Sequence, residues 1–206
     1  MKVLLLNGSP HEKGCTYTAL AEAAAALEEC GVETEILWLG RDVTIGCTGC
    51  GACRKQGKCV HDDAVNLAAE KARSCDGLIA GSPVHYASAS GQITCALDRL
   101  FYSAGSDLRF KPGAAVVSAR RGGATAALDQ LNKYFTINQM PIVSSRYWNM
   151  VHGNTPDEVR RDEEGMAVMC TLGRNMAWLL KSIEAGRAAG LELPAQEPPV
   201  RTNFIR

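Results

Sequence analysis

The sequence predicts a three-layer α/β fold, a parallel sheet of five strands covered by helices on both faces. Two observations carry that reading. Short unbroken apolar runs recur, at Val3-Leu4-Leu5-Leu6, Gly77-Leu78-Ile79-Ala80 and Ala114-Ala115-Val116-Val117, as expected of strands buried on both faces of a parallel sheet. Segments with helical periodicity separate them, and strands alternating with helices of that length build βαβ units.

Taken in order, Val3–Leu6 is the first strand, broken by Asn7-Gly8-Ser9-Pro10. A helix is predicted over 16–30, where Ala19, Leu20, Ala23, Ala24 and Leu27 form an apolar stripe and Gly31 stops the run. Residues 33–39 read as the second strand. Residues 44–59 hold too much Gly and Cys for either regular state and read as a loop. A helix follows over 63–74, then the strand at 77–80 and a helix over 88–104, with Ile93, Leu97, Leu100 and Phe101 on one side. The strand 114–118, a helix over 124–135 and a last strand over 140–144 complete the sheet. One long helix is expected over 155–188, with Met166, Met169, Met176, Leu179 and Ile183 at helical spacing. Residues 1–190 thus form a single domain with the Cys-rich loop 44–60 inserted, and 191–206 is an extended, Pro-rich C-terminal tail.

Composition narrows the class. The 206 residues carry 22 basic and 22 acidic side chains, with no long run of either sign, so the charge footprint of a nucleic-acid binder is missing. No apolar stretch approaches the roughly 18 residues of a membrane span. The opening Val3–Leu6 run ends at Asn7, before the ~7–15 apolar residues of a signal peptide. A cytoplasmic protein, bound to neither membrane nor nucleic acid, is the expectation.

Ligands of open α/β sheets bind beyond the carboxyl ends of the strands, and three turns there carry unusual chemistry. The first, Asn7 to Thr18, sets Ser9, Thr16 and Thr18 hydroxyls and free backbone N–H groups at a helix start, a site suited to phosphate. It lacks the Gly-Lys-Ser/Thr of a P-loop and the G-x-G-x-x-G of a dinucleotide site; ordinary capping by Thr16 or Thr18 is the plain alternative. The second turn, Gly81-Ser82-Pro83-Val84-His85-Tyr86-Ala87-Ser88, has the Pro, aromatic and small residues to frame a flat ring. The third, Ser118-Ala119-Arg120-Arg121-Gly122-Gly123, pairs glycines that permit close backbone approach with two guanidinium groups.

Four of the nine cysteines fall in one short stretch, Cys47-x2-Cys50-x2-Cys53-x5-Cys59. In a reducing cytosol such a bunch points to metal or redox chemistry rather than disulfides. Four thiolates suit a [4Fe–4S] cluster, although the ferredoxin run has a shorter last gap and a Pro where Val60 stands. Zinc also takes four thiolates, usually as C-x2-C units set further apart. C-x2-C is also a dithiol spacing, and plain thiols fit too. Cys30, Cys75, Cys95 and Cys170 read as small packing residues.

Leu6-Asn7-Gly8-Ser9-Pro10 with Gly14 and Thr16, Gly81-Ser82-Pro83-Val84, Leu97-Asp98-Arg99 and Arg120-Arg121-Gly122-Gly123 together resemble the flavodoxin-like NAD(P)H-dependent FMN reductases, and within them the iron–sulfur flavoproteins. The cysteine spacing is similar to that of the latter. The resemblance implies a flavodoxin-like, doubly wound sheet. It implies FMN, with phosphate at Ser9 and the helix start Cys15-Thr16-Tyr17-Thr18. The ring would lie against Pro83, Val84, His85, Tyr86 and Ser88 and against Ala119, Arg120, Arg121, Gly122 and Gly123. Two positions depart from the pattern: Cys15 stands where Asn is common, and His85 where an aromatic is common. A histidine beside a flavin can donate a hydrogen bond or a proton, or merely fill space.

The chemistry implied is the cofactor's, tuned by the protein, so no protein nucleophile is expected. An oxidoreductase follows that passes electrons from NAD(P)H to a small acceptor such as flavin, quinone or a similar electrophile. The alternative is an iron–sulfur electron carrier fed by a ferredoxin-like donor, with a [4Fe–4S] cluster on Cys47, Cys50, Cys53 and Cys59. Such reductases resemble homodimers or homotetramers, which would place Trp148 or Trp178 against another chain.

Overall fold

In a computed structural model, residues 1–200 and 202 are described. The strands are β1 (Lys2–Asn7), β2 (Glu33–Trp38), β3 (Gly77–His85), β4 (Ser88–Ala89), β5 (Gly113–Ala119) and β6 (Met150–His152). The helices are α1 (Cys15–Glu29), α2 (Cys53–Gln56), α3 (Ala64–Ser74), α4 (Gly91–Ala104), α5 (Ala124–Ile137), α6 (Pro156–Arg161) and α7 (Glu163–Ala188). Five strands run parallel in the order β2-β1-β3-β5-β6, and β4 folds back antiparallel on the end of β3.

Alternate residues of each central strand enter opposite cores, which is why the strands read as unbroken apolar runs. Val3, Leu5, Ile79, Ala114 and Val116 pack under α1 and α7, against Leu20, Leu27, Met169 and Met176. Leu4, Leu6, Leu78, Ala80, Ala115 and Val117 face α3, α4 and α5, against Val65, Leu97, Leu100 and Phe135. The chain leaves β1 to form β2 on one side and returns to form β3 on the other. The β1/β3 boundary is therefore the switch point where a doubly wound sheet opens a crevice.

Four expectations need correction. The last strand is Met150–His152; the run 140–144 makes only an isolated bridge, Ile142 to Gly113. Edge pairing there needs β5, and β5 offers its carboxyl half, Val117–Ala119, to β6. The expected helix 155–188 is two helices. Asp162 (ψ 77°) breaks the run and caps α7, its carboxylate accepting from the Gly165 N–H at 3.0 Å. The helix expected from 88 starts at Gly91, because Ser88 and Ala89 extend into β4. The Cys-rich loop includes one short turn of helix, α2. Of the tail expected over 191–206, residues 191–200 have no regular structure and are exposed, while 201 and 203–206 lie outside the described residues. Among the described residues no helix is long and apolar enough to cross a membrane.

Candidate functional site

The three turns meet at the carboxyl edge of β1, β3 and β5, and each is tied to the other two. Gly8 N–H donates to the Gly81 carbonyl at 2.9 Å, and the Ser90 hydroxyl, which caps α4, donates to the Gly8 carbonyl at 2.7 Å. Thr16 and Ser118 share a buried hydroxyl–hydroxyl bond of 2.9 Å. Gly123 sits at φ +91°, with the Ala87 backbone so near that a Cβ on Gly123 would stand 2.7 Å from Ala87 Cα.

In the first turn the side-chain hydroxyls are buried and hydrogen-bonded. Ser9, 4% exposed, accepts from His11 N–H at 3.1 Å, and Thr18 donates to the Gly14 carbonyl at 3.2 Å. Buried Asn7 shapes the turn, its amide donating to the Glu12 carbonyl (2.9 Å) and its oxygen accepting from Ser9 N–H (3.1 Å). The backbone remains open. The α1 N-cap, Gly14, offers no side chain, and the Cys15, Thr16 and Tyr17 N–H groups have no partner among the described residues. Three aligned donors at the positive end of a 15-residue helix can hold a phosphate. Exposed Lys13 lies 4.3 Å from the centre of the Tyr17 ring. Cys15 is half-buried, its thiol 3.7 Å from the Gly153 carbonyl and pushed up in pKa by burial.

The second turn is a tight hairpin between β3 and β4. Its two tip residues, Tyr86 (φ 51°) and Ala87 (φ 57°), are in the left-handed region, a strained choice for side chains other than glycine. Gln130 of α5 grips it, accepting from the Ser88 hydroxyl at 2.7 Å and from Ala89 N–H at 2.9 Å. Pro83 and Val84 are half-buried, and His85 and Tyr86 face solvent. In the third turn Ala119 is buried, while Arg120 and Arg121 are exposed and unpaired among the described residues. His152, at the carboxyl end of β6, pairs in register with Ala119. Sequence reading missed it because it misplaced that strand.

The cysteines form a second centre. Cys47, Cys50, Cys53 and Cys59 line one cavity of about 140 Å³, closed by Arg99 and Tyr102 of α4. From Gly91, where α4 begins, those two lie 8 and 11 residues along the helix, about 12–17 Å at 1.5 Å per residue. The centre therefore sits beside α4 rather than at the strand ends. Nothing in its vicinity is disulfide-bonded. Ala52 N–H and the Thr48 hydroxyl lower the Cys50 pKa. Burial opposes ionisation of Asp63, but the Arg99 hydrogen bond and the Val65 N–H outweigh it and hold the carboxyl below its ordinary range. Among the described residues no three Cys, His, Asp or Glu side chains stand close enough to share one metal ion. A donor set of four thiols spread around a cavity suits a multi-iron cluster, with one sulfur per iron, better than a single tetrahedral ion.

This topology, with three interlocked turns at the switch point, defines an α/β protein of the flavodoxin-like class. A flavodoxin from the domain Archaea superposes with a TM-score of 0.61 over 88% of this chain and 99% of its own, at 13% identity. RosB, solved with a bound 8-demethyl-8-formylriboflavin-5'-phosphate intermediate, gives 0.70 over 100% of this chain and 92% of its own, at 15% identity. At such identities the likeness is one of fold. The chain belongs to the NADPH-dependent FMN reductase family, whose model matches residues 1–155. An iron–sulfur flavoprotein of Methanocaldococcus jannaschii is 33% identical over 192 residues, spanning 89% of this chain and 100% of the relative.

Proposed function

We propose that the chain is an FMN-dependent oxidoreductase whose flavin sits on the three interlocked turns. The observation that carries this is the row of Cys15, Thr16 and Tyr17 N–H groups, unpartnered among the described residues, at the switch point, beside the hairpin held by Gln130. When bound, FMN supplies the redox chemistry. The protein's part is to bind and orient: α1 holds the phosphate, Pro83 to Ser88 support the ring, and Arg120 and Arg121 favour its reduced, anionic form. The family's name supports NAD(P)H as the electron donor, and the acceptor in this reading is a small molecule such as a quinone or free flavin.

A second reading, an electron carrier with a protein donor of ferredoxin type, draws support from the four-thiol cavity and from the relative called an iron–sulfur flavoprotein. Cys47, Cys50, Cys53 and Cys59 would hold the [4Fe–4S] cluster, which supplies one-electron transfer. The two readings part in one anaerobic experiment. Rapid NAD(P)H consumption with a quinone supports the reductase; reduction only by a ferredoxin-type protein supports the carrier. A protein that binds no flavin contradicts both. In either case assembly of two or four copies is proposed, with exposed Trp148 and Trp178 (56% and 70%) available to a neighbour; a monomer by light scattering contradicts that.

A further inference from the structure

We propose that Arg99 is the positioning residue of the four-cysteine centre: it makes Cys59 the fixed ligand and, by an N–H···S hydrogen bond, raises the reduction potential of the cluster held there. The proposal rests on the iron–sulfur reading above.

Arg99 is 2% exposed. Burying a guanidinium is costly unless its donors are matched, and here all three nitrogens are engaged. Nε donates to Cys59 Sγ at 3.2 Å. Nη1 donates to Asp63 at 2.6 Å and to the Ile45 carbonyl at 3.4 Å. Nη2 donates to Asp63 and to the His61 carbonyl, each at 2.8 Å. Ile45 and His61 bracket the cysteine segment, so one side chain on α4 pins both of its ends. An ordinary ion pair between α4 and α3 would account for Asp63 alone. It does not account for the donor aimed at sulfur.

Cys59 is also held through its backbone. Its N–H donates to Asn66 Oδ1 at 2.9 Å, and Asn66 Nδ2 donates to its carbonyl at 3.1 Å. The other three cysteines are held loosely. Cys47 and Cys50 are exposed, Cys50 meeting only the N–H of Ala52 and the hydroxyl of Thr48 in its own loop, and the one hydrogen bond of the Cys53 thiol among the described residues is a 3.5 Å contact with the Tyr102 carbonyl. Between them Gly49 and Gly51 take φ of +68° and +70°, which lets that stretch adjust. One rigid sulfur and three adaptable ones make Cys59 the anchor on which the centre is built.

A donor aimed at a ligand sulfur stabilises the added negative charge of the reduced cluster, and hydrogen bonds to sulfur are among the levers on potential. Asp63 balances the charge of Arg99, which gives the test its opposite signs. Arg99→Met removes every donor, the one at the Nε position included, and leaves Asp63 unbalanced. Asp63→Asn keeps an acceptor for the Val65 N–H and leaves Arg99 unbalanced. Anaerobically reconstituted wild type and both variants are titrated electrochemically, with iron per chain and urea midpoints measured alongside. The equilibrium constant for cluster reduction should fall at least tenfold in Arg99→Met, about 59 mV for one electron, and rise in Asp63→Asn. Unchanged potentials, or shifts of the same sign, overturn the proposal.

A second readout uses metal-free protein, with iodoacetamide labelling of each cysteine above the ordinary thiol pKa of about 8.5, where rates report access rather than ionisation, followed by mass spectrometry. Cys59 should label slowest of the four and at least tenfold faster in Arg99→Met; equal rates in the wild type overturn the anchor. If Arg99→Met does not fold, Asp63→Asn and the wild-type labelling decide. A wild type that takes up no iron refutes the iron–sulfur reading, while the labelling still tests the anchor separately.

Discussion

Replacing Gly123 by alanine strikes the contact that joins the second and third turns. The residue holds φ +91°, and an added Cβ would meet Ala87 Cα at 2.7 Å and Val84 Cγ1 at 3.2 Å. Left-handed backbone costs an L-residue about 1–2 kcal/mol, and overpacking against neighbours that cannot yield adds about 1–3 kcal/mol. Ala87 cannot yield cheaply, because its own backbone is already left-handed at φ 57° and Gln130 grips the strand beside it. The expected loss is therefore about 2–5 kcal/mol of unfolding free energy. If the hairpin tip moves to relieve the clash, FMN affinity should drop at least tenfold, about 1.4 kcal/mol. Gly122→Ala is the internal control, since its Cβ would meet nothing within 4 Å, and should stay within about 0.5 kcal/mol of wild type. Urea unfolding and titration of apoprotein by quenching of FMN fluorescence give both numbers. A Gly123→Ala variant as stable as Gly122→Ala, with an FMN affinity equal to that of wild type, would refute the reasoning.

Three further outcomes are expected. Thr16→Val or Ser118→Ala alone should cost about 1–3 kcal/mol by leaving one buried hydroxyl unpaired; the double variant should cost less than the sum, read from a urea-denaturation cycle. Arg120→Ala with Arg121→Ala should lower the FMN midpoint potential or weaken FMN binding by about threefold to fivefold per arginine, less at high salt; unchanged values for both remove the pair from the site. Asp63 titrates below its ordinary range when folded, so its contribution is fully present above the ordinary carboxylate pKa, near pH 4, and is lost as pH falls through the folded value. Urea midpoints from neutral to acid pH should show that loss in wild type and a flatter profile in Asp63→Asn.

What the sequence made legible was whatever is local. β1, β3 and β5 announce themselves because both faces are buried, and each turn that follows them carries its own Gly, Pro and hydroxyl signature. The last strand was misplaced because Pro141-Ile142-Val143 is the more apolar run, whereas three residues of β6 pair with β5 for a reason of sheet geometry. The break at Asp162 was hidden because charged residues on either side suit a helix as well as a cap. The Ser9 and Thr16 hydroxyls of the phosphate turn also hold the turns in shape, a role that composition does not show. The contact between Arg99 and Cys59 spans 40 positions, so no spacing rule could have found it.

The most direct measurement is the stoichiometry of cofactors on protein purified and reconstituted without oxygen: FMN, iron and sulfide per chain, with the absorbance spectrum before and after reduction. One FMN per chain, with four iron and four sulfide and a broad absorbance that bleaches on reduction, is the predicted result. FMN without iron would leave the flavin site standing and contradict the cysteine centre. A chain that retains neither on reconstitution, and does not quench added FMN, would contradict the assignment of the three turns.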